Sequence, residues 1–481
     1  MALIVPDWLR QRAEITPTRL GLSTDDCKLT YSELDSRVDA AVTSLRQRGV
    51  AAGQHVGLRA PNSAAYVAAV HAVARLGAVL VPINTRLTEA EVAWQTADAD
   101  LAHVLDEALL RELFNAPRAA ASARQFDLDA PHSIIYTSGT TGRPKGAVLT
   151  YGNHWWSAVA SALNLGLMPT DRWLACMPLF HVGGLAIVLR CAIYGITADV
   201  HPRFDAAAVN ASLDAGTTIV SVVSTMLDRM LQERGSTPFP NTLRCVLLGG
   251  GPAPLALLER AIAHGAPVIQ TYGLTETASQ IATLAPEDAL RKVGSAGKPL
   301  MGAQLRIEHD GEISVRGPTV SPGYLHQPRR DDWLRTGDLG YLDDEGYLYV
   351  LDRRDDLIVS GGENVYPAEV EAALLAHPRV MEAGVFGAPD AEWGARVAAV
   401  VLASHVTPQE LQSFCRDRLA GYKVPRQVVF SEEPLPRNAA GKLLRRELAH
   451  RFLAVERLAN DVSMPGVLRD FGDQVHDHPP A

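Results

Sequence analysis

The stretch "IIYTSGTTGRPKGAVLT", residues 134–150, has an aliphatic run at each end and glycines, hydroxyl residues and a lysine between them. Aliphatic runs bounded by glycine predict two strands joined by a loop. Glycine has no Cβ, so the backbone N–H groups of the loop can surround phosphate oxygens. The hydroxyl groups add donors, and Lys145 adds a positive charge. The stretch therefore predicts a phosphate-binding loop, with an ordinary surface hairpin as the alternative.

The position of the lysine separates this loop from the Walker A motif of kinases and GTPases. A Walker A loop places lysine directly after glycine, follows it with Ser or Thr, and opens a helix. Here Arg143 and Pro144 stand between Gly142 and Lys145, and the residues after the lysine predict a strand. A phosphate loop of a different class is therefore expected.

The composition indicates a globular protein with more than one domain. The chain has 481 residues, of which 47% are hydrophobic and 21% charged, and its formal net charge is −9. A large domain with a smaller one is expected at this length. The negative charge argues against nucleic acid as the main partner, because no broad basic surface is available for its phosphates.

The cysteines and the N-terminal residues indicate the compartment. The five cysteines lie far apart and form no C-x-x-C pair, which predicts reduced, mostly buried thiols. The N-terminus lacks the pattern of a secretory signal, and no apolar run is long enough to span a membrane. We expect a cytoplasmic protein that acts on a small molecule. A homo-oligomer is compatible with the sequence.

Helix and strand patterns alternate along the first part of the chain. Leu34, Val38 and Val42 share one helical face, with Ser32 as the predicted N-cap. "HVGLRA" and "AVLVPIN" predict strands on either side of a second helix. This rhythm predicts an α/β fold, with layered sheets and helices, over a large N-terminal domain of residues 1–352.

The pattern changes near residue 352. A run of charges, a glycine turn and a helix follow a strand there, and a later helix has Thr407 as its predicted N-cap and Gly421 as its predicted end. We expect a small C-terminal α+β domain over residues 353–455. The last residues, 456–481, have few periodic apolar positions and predict a flexible tail.

Four segments in a fixed order carry a resemblance to a known family. They are "YTSGTTGRPKG", "QTYGLTETASQ", "LRTGDLGYLDDEGYLYVLDRRDDLIVSGGENVYPAEVE" and "LPRNAAGKLLRREL". With them the chain resembles the acyl-adenylate-forming superfamily, which includes acyl-CoA synthetases, peptide adenylation domains and luciferase-like enzymes. The resemblance implies that the N-terminal domain binds AMP and that the C-terminal domain is a mobile catalytic lid.

The resemblance also implies a nucleotide site. The residues it assigns to ATP or AMP are Thr137, Ser138, Gly139, Thr140, Thr141, Gly142, Lys145, Gly249, Gly250, Gly251, Tyr272, Gly273, Thr275, Asp338 and Arg353. Of these, Asp338 is expected to accept hydrogen bonds from the ribose. Glu276 is a hard carboxylate suited to Mg²⁺ held between phosphates, with Thr140 as a second contact. A solvated loop acid is the alternative reading of Glu276.

The implied reaction has two steps, adenylation and thioester formation. In the first, ATP and a carboxylic acid give an acyl-adenylate and pyrophosphate, and Lys442 neutralises charge between the carboxylate and the α-phosphate. The C-terminal domain then rotates about a hinge at Asp355, which brings Gly361 and Gly362 to the thiol channel. The thiol of CoA, or of a carrier protein, attacks the acyl-adenylate and gives a thioester and AMP.

Fewer residues bear on the acid. "MPLFHVGGLAIVLRCAIYG" resembles the acyl-pocket helix of the family, in which His181 gates the pocket. The chain is most similar to the o-succinylbenzoate–CoA ligases of menaquinone biosynthesis, whose substrate carries a second carboxylate. That group calls for a cation or hydroxyl donors. The pocket candidates, each of which could equally be structural, are His181, Arg190, Ser224, Gln270, Thr275 and Ser279. Ser224 replaces a proline that many relatives carry.

Three alternatives remain open at this stage. A broader aryl or fatty acyl-CoA ligase and an adenylation enzyme that loads a carrier protein share the same chemistry. A nucleotide-binding regulator without catalysis belongs to a different class. The presence of Lys145, Glu276 and Lys442 argues against the regulator, because a degenerate enzyme is expected to lose at least one of them.

Overall fold

The structure is a computed structural model that describes residues 3–117, 125–137, 144–251, 253–330, 332–360, 363–390, 393–438 and 441–452. Of these, the residues within Met1–Asp355 and Asn438–Lys442 form one compact unit, and those within Asp356–Arg437 and Leu443–Ala481 form a second. Helices and sheets are mixed in the chain, which confirms the predicted α/β class. The predicted tail, 456–481, lies outside the described residues.

The helices of the first unit mostly follow a Ser, Thr or Asp whose side chain accepts a backbone N–H of the first turn. They are α1 (Trp8–Ile15), α2 (Tyr31–Gln47), α3 (Ala64–Leu76), α4 (Glu89–Asp98), α5 (Glu107–Phe114), α6 (Tyr151–Leu165), α7 (Val182–Tyr194), α8 (Ala206–Asp214), α9 (Ser224–Arg234) and α10 (Leu255–Ala263). The second unit contains α11 (Pro367–Leu375) and α12 (Pro408–Arg416).

The strands of the first unit are short, and many are buried along their whole length. They are β1 (Ile4–Pro6), β2 (Leu20–Ser23), β3 (Lys28–Thr30), β4 (His55–Arg59), β5 (Val79–Pro82), β6 (Leu101–Asp106), β7 (Gln125–Asp127), β8 (Pro131–Thr137), β9 (Lys145–Thr150), β10 (Arg172–Ala175), β11 (Thr197–Val200), β12 (Ile219–Val222), β13 (Cys245–Leu248), β14 (Val268–Leu274), β15 (Ser279–Thr283), β16 (Lys298–Pro299), β17 (Gln304–Ile307), β18 (Glu312–Arg316), β19 (Gly323–Tyr324), β20 (Leu334–Leu342) and β21 (Leu348–Arg353). The second unit has β22 (Ile358–Ser360), β23 (Glu363–Val365), β24 (Val380–Asp390), β25 (Gly394–Ala403) and β26 (Gln427–Phe430).

Two largely parallel sheets form the body of the first unit. One has the strand order β16-β15-β14-β13-β12-β10-β11-β2-β3, and the other has the order β19-β9-β8-β5-β4-β6. An antiparallel sheet, β17-β18-β20-β21, and the pair β1-β7 complete the unit. Ligands of such α/β sheets bind beyond the carboxyl ends of the strands. The segments predicted to bind the nucleotide follow β8, β13 and β14, so they begin at such ends.

The predicted N-cap of α2 is wrong. Thr30 caps the helix, because its hydroxyl accepts the Glu33 N–H and the Glu33 carboxylate accepts the Thr30 N–H. Ser32 lies inside the first turn instead. Two hydroxyl residues compete as caps in this stretch, and only Thr30 has a glutamate three residues later to complete a capping box. The predicted apolar face of α2 is buried, as expected.

One buried ion cluster ties the first three helices together. The Arg75 guanidinium on α3 lies 2.6 Å from carboxylate oxygens of Asp7, Asp35 and Asp39. Arg75 is 1% exposed. Removing one partner of such a buried cluster is strongly destabilising, because the remaining charges lose their compensation. The cluster has a structural role, since it joins the N-cap residue of α1 to α2 and α3.

Three buried histidines should make the stability of the first unit sensitive to acid. Burial lowers the pKa of His71 to about 4, that of His154 to about 3 and that of His132 well below its ordinary value. The unfolded chain therefore binds more protons below about pH 6.5, so stability is lost as the pH falls. Between about pH 7 and pH 5, His71 and His154 should each lower the free energy of unfolding by roughly 2 kcal/mol, and His132 should lower it further; denaturant titration at the two pH values measures the loss.

His132→Phe provides the check on this acid sensitivity. Within the described chain neither ring nitrogen of His132 has a hydrogen-bond partner, and the ring packs against those of Tyr151 and His154. Phenylalanine should therefore fit and flatten the loss of stability with falling pH. The same substitution at the exposed His309 should leave that loss unchanged. An unaltered slope in His132→Phe would contradict the assignment.

The second unit is built on the sheet β24-β25-β26, with β22 and β23 as a separate hairpin. Its core includes Val365, Val385 and Leu411. Thr407 caps α12 and forms a capping box with Glu410, which confirms the predicted cap. The predicted end at Gly421 is wrong, because α12 stops at Arg416 and Gly421 opens a separate 3-10 turn.

All five cysteines are free, and four of them are buried, as predicted. In the part of the chain that the structure describes, no helix combines the length and the apolar character that crossing a bilayer requires.

Candidate functional site

The turn between β14 and β15 has an unusual backbone. Ala278 has a φ of 50° and Ser279 a φ of 94°, in the left-handed region that residues other than glycine rarely adopt. Gly273 lies against this turn, and a Cβ at Gly273 would stand 1.6 Å from the Ser279 carbonyl oxygen. Glycine is therefore required there. Such conformations persist only where surrounding contacts fix them, and they concentrate at functional sites.

Contacts from two helices hold this turn. The Ser157 hydroxyl on α6 donates to the Ala278 carbonyl at 2.7 Å and accepts from Arg190 on α7 at 2.9 Å. Inside the turn, the Thr277 hydroxyl oxygen lies 2.8 Å from the Ser279 carbonyl oxygen. The helical layer thus fixes the backbone next to Glu276.

Asp338, predicted to bind ribose, lies in a buried cluster. It pairs in register with Arg353 across β20 and β21, and the Arg353 Nε lies 2.7 Å from Asp338 Oδ1. The Tyr272 hydroxyl donates to Asp338 Oδ2 at 2.7 Å. Burial raises the pKa of Asp338, although the Arg353 charge opposes that rise. The structure thus brings together three residues predicted for the nucleotide: Tyr272, Asp338 and Arg353.

Glu276 lies in the short 3-10 turn Thr275–Thr277 that follows β14. Its Oε1 accepts a hydrogen bond of 2.7 Å from the Tyr324 hydroxyl, and its carbonyl accepts the Ser321 N–H at 2.7 Å. Lys145 Nζ lies 5.7 Å from the centre of the Tyr324 ring. The predicted metal ligand and the predicted phosphate lysine therefore contact the same tyrosine.

The two ends of the predicted phosphate loop lie in one sheet. Thr137 ends β8, Lys145 begins β9, and the two residues pair in an antiparallel register. The strand predicted after the lysine is confirmed. Residues 138–143, which include the predicted phosphate and metal contacts Ser138, Gly139, Thr140, Thr141 and Gly142, lie outside the described residues.

The glycines that follow β13 stand close to neighbouring residues. A Cβ at Gly249 would lie 2.9 Å from Thr271 Cγ2, and a Cβ at Gly250, where φ is 82°, would lie 2.9 Å from Val223 Cγ1. Gly251 faces open space. The local fold alone therefore accounts for glycine at Gly249 and Gly250, without a bound ligand.

The residues predicted for the acid pocket come from several segments of the chain. His181 is the N-cap residue of α7, and its Nε2 has no hydrogen-bond partner among the described residues. Burial lowers the pKa of His181 to about 4, so the ring is neutral near pH 7. Arg190 lies two and a half turns further along α7, and at about 100° per residue it points to the opposite side of the helix.

Arg190 is 2% exposed, and its guanidinium stacks 5.7 Å from the centre of the Trp173 ring. Its contacts with Ser157 and Trp173 are sufficient to explain why this arginine is buried.

The other pocket candidates have different surroundings. The Gln270 side chain accepts the Gly294 N–H at 2.7 Å, which directs it to that loop. Ser224 is the first residue of α9 and is partly buried. Ser279 and Thr275 lie in the turn beside Glu276 and are also partly buried. The pocket roles of all four residues stay predictions.

The residues predicted to act from the C-terminal domain lie in short loops. Lys442 closes a tight turn in which its N–H donates to the Asn438 side chain at 2.9 Å and its carbonyl accepts the Asn438 N–H at 2.8 Å. Asp355 lies in the 3-10 turn Arg354–Asp356. Gly361 and Gly362 lie outside the described residues.

Two residues at the site were not predicted from the sequence, Tyr324 and Ser157. Tyr324 stands in "SPGYL", more than forty residues after Glu276, and Ser157 stands in the middle of a helix. Neither position has a local signal of function, because only the fold brings them to the turn.

Comparison with protein families gives two matches. Residues 9–325 match the AMP-binding enzyme family, and residues 369–442 match the AMP-binding enzyme C-terminal domain. The first match alone spans more than half of the chain. The two matches follow one another along the chain in the same order as the four sequence segments that carry the resemblance.

Relatives of the whole chain give a consistent picture. A 2-succinylbenzoate–CoA ligase of Bacillus cereus is 49% identical over 472 residues, which cover 92% of this chain and 98% of that protein. The o-succinylbenzoate CoA synthetase of Bacillus subtilis, solved with the acyl-adenylate intermediate, is 43% identical, with a TM-score of 0.88 over 93% of this chain and 98% of that one. The same Bacillus subtilis enzyme with ATP and a magnesium ion gives a TM-score of 0.86 at 43% identity, over 93% of this chain and 100% of that one.

Proposed function

The chain belongs to the AMP-binding enzyme family, and from this premise we propose that it is an AMP-forming acid–thiol ligase. Its substrates are 2-succinylbenzoate, ATP and CoA, and its products are 2-succinylbenzoyl-CoA, AMP and diphosphate. The assignment rests on identity to 2-succinylbenzoate–CoA ligases along nearly the whole chain. We place the reaction in the cytoplasm and in menaquinone biosynthesis.

The main structural support for the reaction class comes from the contacts of the hairpin formed by β14 and β15. Tyr272 on this hairpin bonds to Asp338, and Glu276 on the same hairpin bonds to Tyr324, which also contacts Lys145. One hairpin thus links three groups. Asp338 is suited to bind ribose, Glu276 to bind a metal, and Lys145 to bind phosphate. An ATP molecule needs these three kinds of contact at once.

Glu276 fits a magnesium site. Mg²⁺ prefers oxygen ligands and is usually held by one or two carboxylates together with substrate phosphates. Within the described chain, Glu276 Oε2 has no hydrogen-bond partner, while Oε1 is held by Tyr324. We propose Thr140 as a second contact. Bound Mg²⁺ neutralises charge on the ATP phosphates.

In the first step a carboxylate oxygen of the acid attacks the α-phosphorus of ATP, and the bond to pyrophosphate breaks. Asp338 holds the ribose, and Lys145 with the loop before it binds the phosphates that leave. We propose that Lys442 stabilises the charge that builds up between the carboxylate and the α-phosphate. Fixed charges are effective here because they need no reorganisation during the reaction.

In the second step the CoA thiol releases its proton to solvent and its sulfur attacks the acyl carbon of the mixed anhydride, and the bond to the AMP oxygen breaks as AMP leaves. We propose that the C-terminal domain, residues 353–455, rotates about Asp355 between the two steps. Gly361 and Gly362 then line the path of the thiol. Rotation moves Lys442 away from the nucleotide after adenylation has taken place. Movements of loops and domains are a common part of enzyme catalytic cycles.

The acid is held by its reacting carboxylate and by its second carboxylate. His181 is neutral near pH 7, and its buried Nε2 has no hydrogen-bond partner among the described residues. We propose that the acid in the acyl pocket supplies that partner. Ser224, Thr275 and Ser279 offer hydroxyl donors for a carboxylate, and Gln270 offers an amide. Arg190 acts on the pocket indirectly. It donates to Ser157, which in turn holds the Ala278 carbonyl and so fixes the turn that carries Ser279.

A panel of acids tests the proposed function. The protein is incubated with ATP, CoA and Mg²⁺, and thioester formation is compared for 2-succinylbenzoate, benzoate, malonate and a fatty acid. Two matched controls each lack one carboxylate of the substrate: 2-butyrylbenzoate and 4-oxo-4-phenylbutanoate. We expect 2-succinylbenzoate to have a kcat/KM at least about a hundredfold above both, because a site built for a charged group rejects analogues that lack it. Equal activity on a fatty acid would instead favour a broader ligase.

A further inference from the structure

We propose that Tyr324 is a positioning residue that orients Glu276 for the metal and Lys145 for the phosphates of ATP. The inference rests on the proposed function, and it assigns a role to a residue outside the predicted site. One tyrosine side chain contacts both groups, through its hydroxyl on one side and its ring on the other.

The segment that carries Tyr324 holds Glu276 at two points. The Ser321 N–H donates to the Glu276 carbonyl, and the Tyr324 hydroxyl donates to Glu276 Oε1, each at 2.7 Å. The first bond fixes the backbone of the glutamate, and the second fixes the direction of its carboxylate. A hydrogen bond from outside the metal shell is a common way to orient a metal ligand.

The same segment is paired with the strand that begins at Lys145. Tyr324 and Gly323 on β19 pair with Ala147 and Val148 on β9. The Ser321 hydroxyl reinforces this pairing, since it donates to the Val148 carbonyl at 2.7 Å. Tyr324 is therefore fixed against β9 by backbone pairing, so its ring has a defined place beside the Lys145 side chain.

Charge around the ring supports this arrangement. Lys145 Nζ and the Arg330 guanidinium lie 5.7 Å and 5.9 Å from the centre of the Tyr324 ring. Aromatic rings attract cations at such distances.

The two contacts can be separated by substitution. Tyr324→Phe keeps the ring beside Lys145 and removes the hydroxyl that donates to Glu276. Tyr324→Leu removes both contacts. A merely structural tyrosine would lower stability in both variants without a specific effect on the metal. The two roles therefore predict different binding defects.

The test measures binding and uses neither acid nor CoA. Binding of the 1:1 Mn²⁺–ATP complex and of metal-free ATP is measured by calorimetry, with Mn²⁺ as a probe for Mg²⁺. The ratio of the two affinities reports how strongly Mn²⁺ binds in the protein–ATP complex. We expect Tyr324→Phe to weaken Mn²⁺ binding about tenfold or more, in line with loss of an outer partner of a metal ligand. Its metal-free affinity for ATP should stay near that of the wild type. Tyr324→Leu should weaken both.

Tyr136→Phe is the matched control. Tyr136 lies on β8 of the same sheet, and its hydroxyl also donates to a carboxylate, that of Asp98, at 2.6 Å. It should bind Mn²⁺ like the wild type. Unchanged Mn²⁺ binding in folded Tyr324→Phe, or an equal loss in Tyr136→Phe, would overturn the inference alone. A wild-type protein that binds no ATP would overturn the proposed function as well.

Discussion

Replacing Lys442 by alanine is expected to slow adenylation by roughly 10²–10³-fold, in line with the loss of one charge-stabilising group from a reaction centre. Thioester formation from a preformed acyl-adenylate should continue at nearly the wild-type rate. The reason is that Lys442 is proposed to act while pyrophosphate leaves and to be absent when the thiol attacks. ATP–pyrophosphate exchange measures the first half-reaction, and CoA added to synthetic acyl-adenylate measures the second.

Lys423→Ala is the control for this prediction. Lys423 is also a lysine of the C-terminal part of the chain, and its Nζ lies 2.8 Å from a carboxylate oxygen of Glu369. Its loss should affect neither half-reaction strongly. If Lys442→Ala impaired both half-reactions equally, the proposed division of the reaction between two arrangements of the C-terminal domain would be wrong.

Replacing Asp338 by alanine is expected to raise the KM for ATP by about a hundredfold. Hydrogen bonds to a charged group contribute roughly 1.5–3 kcal/mol each, and a tenfold change corresponds to about 1.4 kcal/mol. The substitution removes the acceptor for the ribose hydroxyls and also leaves Arg353 without the carboxylate at 2.7 Å. Comparing ATP with 2′,3′-dideoxy-ATP isolates the first of these effects, because the analogue lacks the hydroxyl groups.

Wild-type protein should prefer ATP to the dideoxy analogue by a large factor, and Asp338→Ala should have little preference. Glu312→Gln is the control, since Glu312 is a buried carboxylate of the same sheet that pairs with Arg354 at 2.9 Å. It should keep the wild-type preference for ribose hydroxyls even if its stability falls. A strong preference that survives in Asp338→Ala would place the ribose elsewhere.

Local signals in the sequence predicted much of the fold correctly. Thr407 and Glu410 form the expected capping box, because both partners of this interaction lie within one turn. The strand after Lys145 was read from a short aliphatic run. The errors were also local: Ser32 and Thr30 are rival caps, and Gly421 lies beyond the actual end of its helix.

The candidate site was only partly predictable, because its contacts join distant segments. Asp338 was expected at the ribose from its motif, but its ion pair with Arg353 follows from the register of β20 and β21. Its bond to Tyr272 on β14 joins two different sheets. Arg190 was expected in the acid pocket as a cation for the second carboxylate of the acid. Its bond to Ser157 could not be read from the sequence, because α6 and α7 meet only in the fold. Pairing between strands and packing between helices decide such contacts.

The most direct measurement of the central claim is the formation of a CoA thioester from 2-succinylbenzoate. With ATP, Mg²⁺ and CoA, the protein should convert this acid to one thioester and release one AMP and one diphosphate for each turnover. The two analogues that lack one carboxylate should be far poorer substrates. Absence of thioester and of acid-dependent ATP–pyrophosphate exchange with 2-succinylbenzoate, under conditions where another acid is activated, would contradict the account.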